Sequence, residues 1–224
     1  MTKENPKQYI IKECTVKNLS GKNKMAAVLF ENQKALPLIE IEATIRNKYI
    51  GYLQIFQDLE FIKECLIYLN NNFEKEDINF LKESVWISLI INYAKCFVHA
   101  QGRKIKLEPN VIFKNKDLLE IHNEIMDLRH QYIAHSGINS YEIPDVYLAL
   151  DITNENIIKG FYFSFKKAFT SGKDKIKNYS ILVEHVWQFV DNKIKTIDDK
   201  YREQLLKTNT IEEIIKKAYY FDEN

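Results

Sequence analysis

The 224-residue sequence predicts a mainly α-helical protein: an up-and-down bundle of four to five helices with an inserted β-hairpin and a short N-terminal arm. Three observations support this fold class. Glycine and proline are scarce, at 6 and 4 residues, as expected for long helices joined by few turns. Four segments repeat apolar residues at helical spacing. Two further apolar runs, separated by a short polar stretch, resemble paired strands.

The first half of the chain is expected to hold the N-terminal arm and two helices. Residues 1–36 should form the arm or a small hairpin that turns near 18–23, and residues 37–224 should form the bundle. A first long helix is predicted over about 37–72. The run 85–98 is apolar on nearly every side, so it should be the central and most buried helix.

The second half is expected to hold the remaining helices and the inserted hairpin. A third helix is predicted over 116–136 and is followed by Gly137, a residue type favoured just beyond a helix end. The β-hairpin should lie at about 146–165, with a polar turn in the middle. A fourth helix is predicted over 178–207, and a short tail helix over 211–220.

Composition bounds the possible partners. Lysine and arginine number 32 against 31 acidic residues, so any contact with RNA must depend on a local site rather than on the overall charge. The three cysteines are widely spaced and form no CxxC pair, which indicates reduced thiols. Neither a leader peptide nor a membrane span is evident. We therefore expect a cytoplasmic protein without membrane contact, cofactor or metal.

The third predicted helix carries the residues with chemical potential. On a helical wheel Arg129 and His122 fall within its apolar arc. An arginine keeps its charge, so at such a position it needs a partner, a cleft or another subunit. The chain uses four arginines against 28 lysines. An arginine here therefore suggests a need for the planar fork that grips phosphate or carboxylate.

His135 lies six residues after Arg129, in the last turn of the predicted helix. The helix dipole favours a protonated histidine there, which suits general acid–base chemistry near neutral pH. Six helical residues span about 9 Å and turn the side chains roughly 120° apart. One chain thus offers the two residues as neighbours, and a second copy across a two-fold axis would complete a cleft.

The segment 128–136 resembles the motif of the HEPN superfamily: an arginine, a polar Asn, Asp or His, three to five residues, and a histidine. Arg129, His130 and His135 fill the three positions. HEPN domains are up-and-down helical bundles with this motif late in a core helix, and the likeness covers roughly residues 40–210. The resemblance therefore implies the same fold class as the pattern of apolar residues.

The resemblance also implies a function: a metal-independent endoribonuclease that acts as a homodimer. In that picture His135 deprotonates the 2′-hydroxyl of RNA or protonates the leaving oxygen, and Arg129 stabilises the charge on the phosphorane. His130 would orient the substrate or the other histidine. Tyr132 and Ser136, in the same segment, are candidate substrate-binding residues.

Domains of this kind occur as toxins, as abortive-infection effectors in antiviral defence, and as CRISPR-associated nucleases, often with a nucleotidyltransferase antitoxin. The sequence contains no nucleotidyltransferase signature, so an antitoxin would be a separate protein. Two other functions stay open. The first is a HEPN module that has lost catalysis and binds RNA, a nucleotide or a partner protein. The second is a helical scaffold in which Arg129 forms a buried ion pair and His135 caps the helix.

The remaining histidines and aromatic residues are expected to be structural. His122 and His99 should be core or interface residues. Trp86, Tyr93 and Phe97 stand at core spacing rather than as a base-stacking platform. Lysine-rich runs at 104–106 and 173–177 are expected to be solvated, although either could form a rim for RNA phosphates.

Overall fold

The computed structural model describes residues 9–31, 34–75, 79–99, 102–133, 144–150, 158–165 and 172–221. Its strands are β1 (Tyr9–Asn18), β2 (Asn23–Glu31), β3 (Lys34–Ala35), β4 (Pro144–Leu150), β5 (Ile158–Phe165) and β6 (Tyr219–Phe221). Its α-helices are α1 (Ala43–Asn71), α2 (Asn79–Lys95), α3 (Pro109–Ile112), α4 (Lys116–Asp127), α5 (Lys173–Thr208) and α6 (Ile211–Lys217). A π-helical turn, Leu128–Ile133, follows α4. The predicted fold class, a mainly helical chain with an inserted hairpin, is confirmed.

Contacts within the chain define two compact units. One comprises Met1–Asn47 with Lys195–Asn224, and the other comprises Lys48–Ile194. Helices α1 and α5 contribute residues to both units. The sequence had suggested an arm over 1–36 and a bundle over 37–224. The C-terminal residues instead belong with the N-terminal strands, a long-range association that local patterns do not encode.

The helical unit has a core built from α1, α2, α4 and α5. Along α5 the apolar residues at helical spacing are fully buried at Leu182, Val186 and Val190, whereas Ile194, Ile197 and Tyr201 further along are only partly buried. On α1 the apolar residues at helical spacing include Leu59 and Ile62, which are also fully buried, and Leu53, which is exposed. The buried side chains exclude water from the centre of the bundle, which is the dominant favourable contribution to folding.

Helix α2 supplies the largest buried side chains. Trp86 and Tyr93 are almost fully buried within it, and Phe97 is buried just beyond its end. The prediction of core packing for these three residues is confirmed. The rings of Tyr93 and Phe97 lie 5.1 Å apart, and Phe97 in turn stacks on Phe113. This aromatic cluster forms the surface on which α4 packs.

The sheet unit contains an antiparallel four-stranded sheet in the order β3-β2-β1-β6. The N-terminal segment is therefore a hairpin, and it turns at Gly21, whose φ of +84° belongs to the left-handed region that favours glycine. Val16, Val28 and Tyr219 form the core of this unit. The turn lies where the sequence placed it.

The C-terminal tail differs from its prediction in one respect. Helix α6 begins as expected, with a capping box in which Thr210 and Glu213 bond to each other's backbone N–H groups. It ends at Lys217, whereas the sequence predicted a helix to residue 220. The reason is tertiary: Tyr219 pairs with Asn18 of β1 and exchanges backbone hydrogen bonds with Leu38. A buried strand position thus overrides the local helical pattern.

Strands β4 and β5 form the inserted hairpin, which the sequence placed at about 146–165. The register shifts between Ala149 and Leu150, and Gly160 nearby has a φ of +142°. Such a bulge bends and twists the ribbon locally.

Among the helices described above, none combines the length and apolar character needed to cross a bilayer.

Candidate functional site

Helix α4 leads to the candidate site and is anchored at both of its ends. At the start, the side chain of Asn115 accepts a hydrogen bond of 2.8 Å from the backbone N–H of Asp117. This cap satisfies one of the free N–H groups of the first turn. Near the far end, Ile125 is fully buried and Leu128 is nearly so, in the core of the bundle. Because α4 is anchored at both ends, the residues that follow Asp127 start from a fixed position.

His122 is the buried anchor in the middle of α4. Its Nδ1 lies 2.9 Å from the hydroxyl of Tyr93, and its ring packs edge-on against Phe97 at 4.4 Å. The residue is 3% exposed, and burial lowers the pKa of its imidazole to about 4 because the apolar surroundings disfavour the charged form. The prediction that His122 is a satisfied core histidine is confirmed.

This burial predicts a specific loss of stability in acid. The unfolded chain takes up a proton at the ordinary pKa of 6.5, whereas folded His122 does so only near pH 4. Stability from the neutral ring is therefore complete above pH 6.5 and is lost as pH falls towards 4, by up to about 3 kcal/mol. The measurement is the free energy of unfolding in urea at a series of pH values.

The matched variant is His122→Asn, whose amide can still bond to Tyr93 but does not titrate. Carboxylates titrate in both proteins, so the difference between the two pH profiles isolates the imidazole. We expect the wild-type protein to lose stability more steeply than the variant between pH 6.5 and pH 4. Parallel profiles would show that His122 does not resist protonation in the folded protein.

Glu124 fastens the end of α4 to the beginning of α5. Its carboxylate lies 2.5 Å from the Nζ of Lys175 and 3.3 Å from the hydroxyl of Tyr179. The carboxylate is therefore directed towards α5. Lys175 belongs to the lysine-rich run 173–177, in which Lys173 and Lys177 are exposed as expected. The pair contributes to the position of the next turn.

That next turn is π-helical rather than α-helical. The sequence predicted one α-helix over 116–136, but the regular α-helix ends at Asp127 and residues Leu128–Ile133 adopt the wider π form. The prediction is wrong for this turn because a helical wheel assumes a constant 100° per residue. π-helical turns are rare and occur frequently at functional sites. The angular relation inferred between Arg129 and His135 consequently does not hold beyond Asp127.

Arg129 and His130 lie side by side on this turn. Arg129 is partly buried and His130 is exposed. The guanidinium Nη1 of Arg129 lies 3.1 Å from Nδ1 of His130. An arginine can only donate, so Nδ1 accepts and a neutral His130 carries its proton on Nε2. The turn thus presents a cationic fork and an imidazole together at the surface.

The guanidinium of Arg129 meets no carboxylate at ion-pair distance within the described part of the chain. The alternative of a buried ion pair therefore has no partner among those residues. Arginines elsewhere behave differently: Arg103 is paired with Asp58, and Arg202 with Asp198. With respect to the described residues, the guanidinium of Arg129 thus keeps donors that can bind an anion such as phosphate.

The other candidate residues lie on the π-helical turn or after it. Tyr132 belongs to this turn by its backbone. His135, Ser136 and the expected helix end at Gly137 lie outside the described residues. The structure therefore brings Arg129 and His130 together. Their geometry relative to His135 stays a prediction from the motif.

Two contacts that position the site were not foreseen: the bond between His122 and Tyr93, and the attachment of Glu124 to Lys175. Of these contacts only the one made by His122 was indicated by the sequence, because a histidine on the apolar arc of a helix is expected to have a buried partner. The buried thiols offer no rival chemistry, since burial raises the pKa of Cys65 to about 11 and that of Cys96 to about 12. No cluster of metal-ligating side chains occurs among the described residues.

The comparisons with known proteins add no relative. Neither a protein-family model, nor a curated protein, nor a solved structure matches this chain. The basis for a functional proposal is therefore the motif itself and the placement of Arg129 and His130 on an anchored π-helical turn.

Proposed function

We propose that the protein is a metal-independent endoribonuclease of the HEPN type that acts as a homodimer. The observation that carries the proposal is the pair Arg129 and His130, at hydrogen-bond distance on a π-helical turn, with no described carboxylate engaging the arginine. The arginine and two histidines of the HEPN-like motif, completed by His135, supply the groups that RNA cleavage requires.

The reaction is an attack of the RNA 2′-hydroxyl on its own 3′-phosphate. A bond forms between the 2′ oxygen and phosphorus, and the bond from phosphorus to the 5′ oxygen breaks. One proton leaves the 2′ oxygen and one is delivered to the 5′ oxygen, and His135 is suited to either transfer. Arg129 offsets the negative charge that grows on the phosphorane. The products are a 2′,3′-cyclic phosphate and a free 5′-hydroxyl.

His130 is assigned a positioning role. With Nδ1 occupied by Arg129, the neutral ring presents an Nε2–H donor that can orient a phosphate oxygen or a base. By the same contact it restricts the rotamers of the arginine, which lessens the ordering that phosphate binding would otherwise require. Tyr132 and Ser136 remain candidates for substrate contacts on the same segment.

The biological setting follows from the resemblance alone. A ribonuclease of this type would act as a toxin or as an abortive-infection effector against phage, in the cytoplasm, with a separate antitoxin to restrain it. The near balance of charge means that RNA would be recognised at the cleft rather than by the whole surface.

The test is an RNA-cleavage assay with the purified full-length protein in EDTA. We expect single-stranded RNA to be cut and to leave 2′,3′-cyclic phosphate ends, because neither the nucleophile nor the leaving group depends on a metal in this mechanism. Cleavage that requires Mg²⁺ or leaves a 3′-hydroxyl would contradict it. Binding of RNA without any cleavage would instead favour an inactive HEPN module.

A further inference from the structure

The hairpin β4–β5 carries an apolar face that is open to solvent. Alternate residues of a strand share a face. On this face Val146, Leu148, Leu150 and Phe161 are 61%, 45%, 55% and 79% exposed; we call these four residues the hairpin face. The register pairs Leu148 with Phe161, and the positions on either side are apolar pairs as well: Val146 with Phe163 and Leu150 with Ile158.

A two-stranded hairpin of this kind is not expected to be stable by itself. Isolated hairpins are marginal in water and need a third strand or a packed face. Within the described part of the chain, β4 and β5 pack mainly against each other. A contiguous exposed apolar patch on a protein usually marks an interaction site. The described residues of one chain leave the hairpin face exposed, so we expect another surface to pack against it.

The area of the hairpin face matches a substantial part of a dimer interface. An aromatic side chain offers about 200 Å², and each aliphatic carbon about 30 Å², which gives roughly 350 Å² for the exposed parts of the four residues. A stable interface of standard size takes about 800 Å² from each partner. Four side chains thus supply nearly half of that area.

The chemistry of the face selects the occupant. The strands carry a single acid, Asp145, and a single base, Lys159, and neither belongs to the hairpin face. RNA is a less suitable occupant, because its binding depends mainly on cations against phosphate and the two strands supply only Lys159. An uncharged apolar face is compatible with its own copy, since the two sides of a two-fold interface use the same residues.

We infer that the hairpin face is the surface through which a second copy of this chain binds, with Phe161 at its centre. This inference rests on the proposed function, in which a second copy completes the cleft, and deepens it by naming the contact. Ten residues separate the π-helical turn from β4, so the surface directly follows the motif segment in each chain. Dimerisation and assembly of the cleft would then be linked.

The experiment is analytical ultracentrifugation of the full-length protein over a range of concentrations. We expect the wild-type protein to have a molecular mass of twice the 26.6 kDa of one chain, and Phe161→Glu to sediment as a monomer. The matched control is Phe80→Glu on α2, which is 84% exposed and lies outside the hairpin; it should remain dimeric. Circular dichroism verifies that each variant is folded.

If Phe161→Glu does not fold, Phe161→Ser and Leu148→Ser serve as milder replacements, each expected to raise the Kd of the dimer at least 10-fold. A monomeric wild-type protein, or variants of the hairpin face that remain as dimeric as the control, would overturn the inference. RNA cleavage by the same samples separates the two proposals. A hairpin-dependent dimer that does not cut RNA refutes the proposed function alone, and a cleaving dimer insensitive to Phe161→Glu refutes the inference alone.

Discussion

The variant His135→Ala is expected to cleave RNA about 100-fold to 10,000-fold more slowly than the wild-type protein, the range associated with loss of a general acid or base. Alanine can neither accept the proton of the 2′-hydroxyl nor deliver one to the leaving oxygen. The measurement is the single-turnover rate with end-labelled RNA in EDTA. The variant should still bind RNA, because the charge of Arg129 is retained.

The matched control for this variant is His99→Ala. His99 is exposed rather than in the core, where the sequence had allowed it, and it lies outside the motif. Its replacement should therefore leave the cleavage rate within about 2-fold of wild type and the stability within about 0.5 kcal/mol. Thermal unfolding of both variants establishes that the comparison is between folded proteins. Equal cleavage by His135→Ala and His99→Ala would remove His135 from the mechanism.

The variant Arg129→Lys is expected to lower the cleavage rate by about 100-fold to 1,000-fold, as for the loss of one preorganised donor to the transition state. Lysine keeps the positive charge but replaces the planar fork by a point charge on a flexible chain. It also cannot reproduce the geometry of the contact with Nδ1 of His130. RNA affinity should change much less than the rate, since the charge that attracts phosphate remains.

Arg202→Lys is the matched control, because Arg202 is an exposed arginine whose ion pair lies within one turn of α5. It should cleave RNA like the wild-type protein.

The variant Arg129→Ala separates a catalytic role of this arginine from a purely structural one. Arg129 is partly buried and has no carboxylate partner among the described residues, so its replacement by alanine should lower the free energy of unfolding by no more than about 1 kcal/mol. Strong destabilisation with unchanged cleavage would support the scaffold alternative.

The positions that the sequence predicted well are those decided by local periodicity and burial. The burial of Leu182, Val186 and Val190 in α5, the aromatic core residues of α2 and the structural role of His122 all follow from where apolar side chains recur. Arg129 could be selected for the same reason, as a charged group where the pattern alone would place an apolar one, whereas His130 was selected only as a position of the HEPN-like motif. The pairing of Tyr219 with Asn18 could not be predicted, because a three-residue strand carries too little pattern.

The sequence by itself determined the helical class and the presence of a hairpin after residues 116–136, and it selected the motif segment as the candidate site. Only the tertiary structure decided that the α-helix gives way to a π-helical turn at Leu128, and that Arg129 contacts His130. The same holds for the attachment of Glu124 to Lys175. The physical reason is that one extra residue in a turn, or an ion pair between helices distant in sequence, is selected by packing across the whole core. Side-chain type and spacing along one segment carry almost no record of that packing.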